Sequence, residues 1–147
     1  GAGPVGDLLW NPATYDAVFA GIDSPALVVS IKYGPADFFR FLETNPTLFR
    51  GPQRKLVEFQ CRREYEGMGE FPSFVGWLYA DHLRRLRDGG ANLAGVYAVQ
   101  AGGWAPWGKL GFAGGGNVWS ELNALVVARL WHGDDPETAV RRFCAGR

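Results

Sequence analysis

Residues 56–64, Leu-Val-Glu-Phe-Gln-Cys-Arg-Arg-Glu, restrict the possible folds more than any other stretch of the chain. Side chains alternate between the two faces of a strand, so Val57, Phe59 and Cys61 share one face while Glu58, Gln60, Arg62 and Glu64 share the other. A parallel sheet covered by helices on both sides would not carry four polar groups on one face. A barrel can, because its interior ends in a solvated mouth at the C-terminal ends of the strands, where catalytic groups gather. The run 26–33 agrees: Leu27, Val29 and Ile31 face helices, and Ser30 and Lys32 face the other way. In the run 92–100, Gln100 closes the inward row, and Trp104 follows in the loop. Lys32, Glu64 and Gln100 are therefore expected to meet at one rim.

The rest of the chain supplies the helices such strands need. Three β-branched runs, Ala26–Tyr33, Leu56–Arg63 and Asn92–Gln100, start about 30 residues apart, the size of a βα unit. Asn11-Pro12 opens a short helix over Ala13–Ala20, and a second short one is expected over Ala36–Leu42 before the loop Asn45–Pro52. Pro72 and Ser73 predict the start of a helix through Arg87, with Val75, Leu78, Tyr79, Leu83 and Leu86 on one stripe and Asp88-Gly89-Gly90 closing it. Gly102–Gly116 reads as a long loop, and helices over Ser120–Trp131 and Pro136–Ala145 finish the chain. The expectation is an α/β protein: the C-terminal part of a (β/α)8 TIM barrel over residues 1–112, then the start of a C-terminal helical domain over 113–147. A flavodoxin-like sheet is the competing arrangement, but its strands are usually apolar on both faces. On this view the chain is a piece of a longer protein.

Composition removes several function classes. With 47% hydrophobic and 20% charged residues, the chain can bury a core and is not a disordered segment. Fifteen basic residues balance fifteen acidic ones without a basic run, so neither nucleic acid nor an anionic membrane is expected as a partner. The longest apolar run, around Ala124–Leu130, is too short to span a bilayer. Cys61 and Cys144 lack metal-ligand or Cys-x-x-Cys spacing and read as two free thiols. His82 and His132 have no ligand-spaced company, and neither a metal nor a cofactor is expected. Gly114-Gly115-Gly116 lacks the Lys-Ser/Thr of a phosphate loop, and no Gly-x-Ser-x-Gly or His-Glu-x-x-His occurs.

Two further segments carry a resemblance. Lys32-Tyr33-Gly34-Pro35-Ala36-Asp37-Phe38, followed by Glu58-Phe59-Gln60-Cys61-Arg62-Arg63-Glu64-Tyr65, resembles the paired signature of family 67 glycoside hydrolases, the α-glucuronidases of xylan breakdown. Asn123 and Arg129-Leu130 loosely resemble the start of that family's helical domain. The resemblance implies an inverting hydrolase acting on (4-O-methyl)glucuronic acid side chains. It makes Asp37 and Glu64 the candidate bases that activate water, and Lys32 the contact for the uronate carboxylate. The family's general acid belongs to an earlier strand, so this stretch alone is expected to be inactive. The sequence departs from the family pattern in places. The Asp37–Glu64 interval is one residue shorter, Arg40 falls one position early, and Arg62-Arg63 replace mostly neutral residues.

Beside that resemblance stand plainer roles. Asp37 is well placed to cap a helix over 36–42, and Glu64 beside two arginines can be a structural ion pair. Glu58, deeper on its strand, reads as the structural partner of an inward-facing cation. Trp104 or Trp107 could stack on a pyranose ring, and Gln100 would reach the substrate from the third strand. The expected partner is an oligosaccharide or polysaccharide, with a homodimer through the C-terminal helices as the form of self-association. The competing function is a relative that binds glycans without hydrolysing them.

Overall fold

The computed structural model describes residues 10–35, 41–62, 66, 72–99 and 118–146. Its elements run in chain order as α1 (Pro12–Phe19), β1 (Val28–Lys32), a 3₁₀ turn (Pro46–Phe49), β2 (Arg54–Gln60), α2 (Gly76–Asp88), β3 (Leu93–Val99), α3 (Val118–Trp131) and α4 (Pro136–Ala145). The strands form one parallel sheet in the order β1-β2-β3. Val28 to Lys32 pair with Arg54 to Glu58. A one-residue irregularity between Lys55 and Leu56 then lets Val96 and Ala98 lie beside Val57 and Phe59.

One face of this sheet makes the core. Val29, Ile31, Val57, Phe59 and Cys61 are buried on it, against Tyr79, Leu83 and Leu86 of α2 and Val126, Val127 and Leu130 of α3. The rings of Tyr33, Phe59 and Tyr79 pack with centroids 4.5–5.6 Å apart, within the range of favourable aromatic pairs. The stripe expected on α2 is in place: Val75, Tyr79, Leu83 and Leu86 are buried and Leu78 is partly so. The opposite face is wet. Val28, Ser30, Lys32 and Tyr97 are exposed on it, and Glu58 is half-buried.

The barrel expectation is overturned. The chain is a small α/β fold with a three-stranded parallel sheet and four α-helices among the described residues, not the closing part of an eight-stranded ring. Strand parity misled here because alternation reports only that one face meets water. It cannot separate a barrel mouth from a sheet face that no helix of the described residues covers. Helix α3 lies on β3 and α2 and adds its valines to the same core. Of the helix expected over 36–42, only Phe41 and Leu42 are described, and they are not helical; the loop expected over 102–116 lies outside the described residues. No helix of the described chain is long and apolar enough to cross a membrane.

Helix α2 starts three residues later than Ser73 predicts, and the cause is tertiary. Fully buried Asn123 of α3 accepts a hydrogen bond from the Val75 N–H (3.2 Å) and donates to the carbonyls of Ser73 (2.9 Å) and Cys61 (3.1 Å). A helix start leaves orphan N–H groups, and here one of them is met from another helix rather than by a local cap. The Ser73 hydroxyl makes no hydrogen bond. Asn123→Ala would strand one buried donor and two carbonyls. It should destabilise the fold by about 3 kcal/mol or more, whereas Ala128→Gln on the exposed face of α3 should stay within about 0.5 kcal/mol. Urea denaturation of both variants checks this.

Candidate functional site

The C-terminal end of β1 holds a cleft of about 360 Å³ lined by Trp10, Ser30, Lys32, Gly34, Pro35, Asn45 and Glu58. Each side chain arrives there for a local reason. Ser30 and Lys32 alternate with the buried Val29 and Ile31, so they point away from the helices. Glu58 is the register partner of Lys32 on the neighbouring strand, which sets a carboxylate and an ammonium side by side on one face. Trp10 reaches the cleft from the residue just before the α1 cap, where Asn11 Oδ1 accepts from the N–H groups of Ala13 and Thr14.

The strand end itself is fixed by a buried amide. Buried Asn45 donates from Nδ2 to the Lys32 carbonyl (3.1 Å), and its N–H donates to the Tyr33 carbonyl (2.8 Å). Its Oδ1 accepts from the N–H and hydroxyl of Thr47, in the first turn of the 3₁₀ segment. Gly34 permits the close approach of Leu42. A Cβ there would fall 2.8 Å from Leu42 Cβ, closer than real side chains approach.

Behind Asn45 lies a buried histidine. His82 Nδ1 shares a 2.5 Å hydrogen bond with Thr44 Oγ1, its ring meets Tyr33 edge-on, and Nε2 is buried without a hydrogen-bond partner. Desolvation, then the charge of Arg85, holds its pKa below the usual 6.5, with Asp81 opposing. At the end of β2 the buried Cys61 thiol is pushed up to about 12 by burial and by Glu66, which removes it from thiolate chemistry near neutral pH. Among the described residues, no group of three or more His, Cys, Asp or Glu could hold a metal ion.

Of the residues singled out in the sequence, Lys32 lies in the cleft. Asp37, Glu64, Gln100, Trp104 and Trp107 lie outside the described residues. Glu58, assigned in the sequence to a purely structural pairing, lines the cleft beside Lys32. Trp10 and Asn45 are additions. Asn45-Pro46 is legible as a cap, but its bond to the Lys32 carbonyl exists only once β1 is in place. No sequence signal marks Trp10. Compared with known proteins, the chain matches no family model, no curated protein and no solved structure.

His82 makes the stability of this region depend on pH. Its folded-state pKa lies below its unfolded one, so the unfolded chain binds more protons as pH falls past 6.5. The His82 contribution is therefore complete above that value, and it is lost as pH drops toward the depressed folded value. Unfolding free energies measured between about pH 7.5 and 5 should fall in the wild type, with a shallower slope in His82→Gln.

Proposed function

We propose that the cleft binds an acidic sugar and belongs to a glycoside hydrolase resembling the α-glucuronidases, with Lys32 as the partner of the uronate carboxylate. The observation that supports this is the chemistry gathered at the end of β1. An ammonium, a carboxylate, a hydroxyl and a buried amide line one open cleft with an indole. Sugar recognition needs this combination: polar groups for hydroxyls, a flat ring for the apolar C–H face, and a cation where the sugar is a uronic acid. The C-terminal edge of a parallel sheet is also where α/β folds bind ligands.

In the proposed reaction, water activated by a carboxylate attacks the anomeric carbon, while a carboxylic acid protonates the leaving oxygen from the other face. Asp37 and Glu64 are the proposed bases. Asp37 follows cleft-lining Pro35 by two residues, and Glu64 follows the last residue of β2 by four. Glu58 would receive sugar hydroxyls beside Lys32, and Trp10 would support the ring. The acid would come from a part of the enzyme outside this chain.

Binding tests the recognition half on the chain as it stands. Glucuronic acid should bind more tightly than glucose in calorimetric titrations. Lys32→Ala should weaken glucuronic acid about ten- to a hundred-fold while leaving glucose little changed. Equal affinity for the two sugars in the wild type would rule out the uronate assignment. Catalysis is tested in the complete enzyme. There the loss of the true base, by Asp37→Ala or Glu64→Ala, should lower kcat by about 10²–10⁴-fold with a modest change in KM. Near-normal turnover in both variants would remove the assignment of the bases.

A further inference from the structure

A chain of contacts runs from the buried histidine of α2 to the backbone of Lys32. His82 Nδ1 shares its hydrogen bond with Thr44 Oγ1, and Asn45 follows Thr44 directly. Asn45 holds the end of β1 twice, through the Lys32 carbonyl and the Tyr33 carbonyl. The Tyr33 ring returns to the imidazole, with 5.2 Å between ring centres. Strand end, turn and helix thus meet at one side chain that is 2% exposed.

That place suits the ring only when it is neutral. Nδ1 has its partner in Thr44, but Nε2 is buried and makes no hydrogen bond. An imidazolium needs an acceptor at both nitrogens. The charges that bear on the ring come from α2: Arg85 opposes a cation and Asp81 favours one. Asp81 is already shared between Arg84 and Arg85. The strand end offers only the Tyr33 phenol and the turn only the Thr44 hydroxyl, while Glu43 beside it is exposed. Helix α2 cannot carry the ring to water, because Tyr79, Leu83 and Leu86 on either side of it are buried in the core. Partly buried Thr44 is the contact that opens.

The geometry points to His82 as a positioning residue for the cleft: through Thr44 and Asn45 it holds the end of β1, and Lys32 with it, while its ring is neutral. This rests on the acidic-sugar reading of the cleft and adds the regulation of that site. When the Thr44 contact opens, His82 meets water and takes up a proton as pH falls past its usual 6.5. Asn45 then loosens, Lys32 loses its fixed backbone, and the sugar binds less tightly. A ligand that selects the closed form must expel that proton as it binds.

The experiment titrates glucuronic acid into the whole chain by calorimetry at about pH 7.5 and about pH 5, in buffers of different ionisation enthalpy. Wild type should bind about three- to ten-fold more weakly at the lower pH and release up to about one proton per sugar there. His82→Gln and Thr44→Val should each flatten the pH dependence and abolish the proton release, whereas Thr44→Ser, which keeps the hydroxyl, should behave as wild type. Lys32 and Glu58 are the same in every variant, so the difference between variants belongs to His82 and its contact. A second readout needs no sugar: exchange of the Asn45 amide hydrogen, scaled to that of a free chain at each pH, should quicken at the lower pH in wild type and not in His82→Gln. If affinity and Asn45 exchange respond to pH equally in wild type and His82→Gln, the positioning role is overturned while the cleft reading stands. If Asn45 exchange follows His82 but the chain binds glucuronic acid no better than glucose, the acidic-sugar reading falls and the hold of His82 on the strand end stands.

Discussion

Parallel strands that end side by side leave carbonyls at one edge, and the helices that follow leave N–H groups at their starts; this fold joins the two needs through buried asparagine amides. Asn45 donates to the carbonyl at the end of β1, and its Oδ1 accepts from Thr47 at the start of the 3₁₀ turn. Asn123 donates to the Cys61 carbonyl just beyond β2, and its Oδ1 accepts from Val75 at the start of α2. An amide can do this because it carries an acceptor and two donors on one rigid plane. Buried polar groups left unmet would each cost about as much as a lost hydrogen bond, so these two side chains fix where the crossovers begin.

The same sheet tolerates a charge at its other end. Lys55 has the parity of Val57 and Phe59, and it is fully buried on the core face. Its ammonium donates to the Gln53 carbonyl and lies 5.3 Å from the centre of the Tyr15 ring. Burial holds its pKa below the ordinary lysine value. The Tyr15 hydroxyl in turn donates to Gln53 Oε1, so α1 and the start of β2 are held by a small polar cluster beneath an otherwise apolar face. Polarity at both strand ends with an aromatic middle gives the sheet a direction, and the cleft stands at the end where side chains point into solvent.

Much of this is written locally. β1 and β3 fall inside the runs expected for them, β2 begins two residues before its expected start at Leu56, α2 carries the stripe its spacing predicts, and α4 begins at the expected Pro136, where Asp135 accepts from the Thr138 N–H. What escaped the sequence depends on partners far along the chain. Ser73 looks like the cap of α2, yet Asn123, about fifty residues away, takes that work. Lys55 breaks the apolar row because Gln53 and Tyr15 surround it, which no window of residues reveals. The larger error, a barrel in place of a small open sheet, has the same origin. Alternation fixes which face is wet but says nothing of how many strands share it. At the site, parity brought out Lys32, whereas Trp10 joins it only through the path of α1.

The position of the cleft follows from the way the strand ends are met. Buried Asn45 meets the Lys32 carbonyl at the strand end, anchored by Thr47 and by the Tyr33 carbonyl, and itself lines the cleft. Leu42 packs closely against Gly34 beside it. Ser30, Lys32 and Glu58 are thus left facing the cleft, on a backbone whose hydrogen bonds are already made. Rigid backbone beneath exposed polar side chains is what selective binding of a small polar ligand requires, because little ordering cost remains to be met on association.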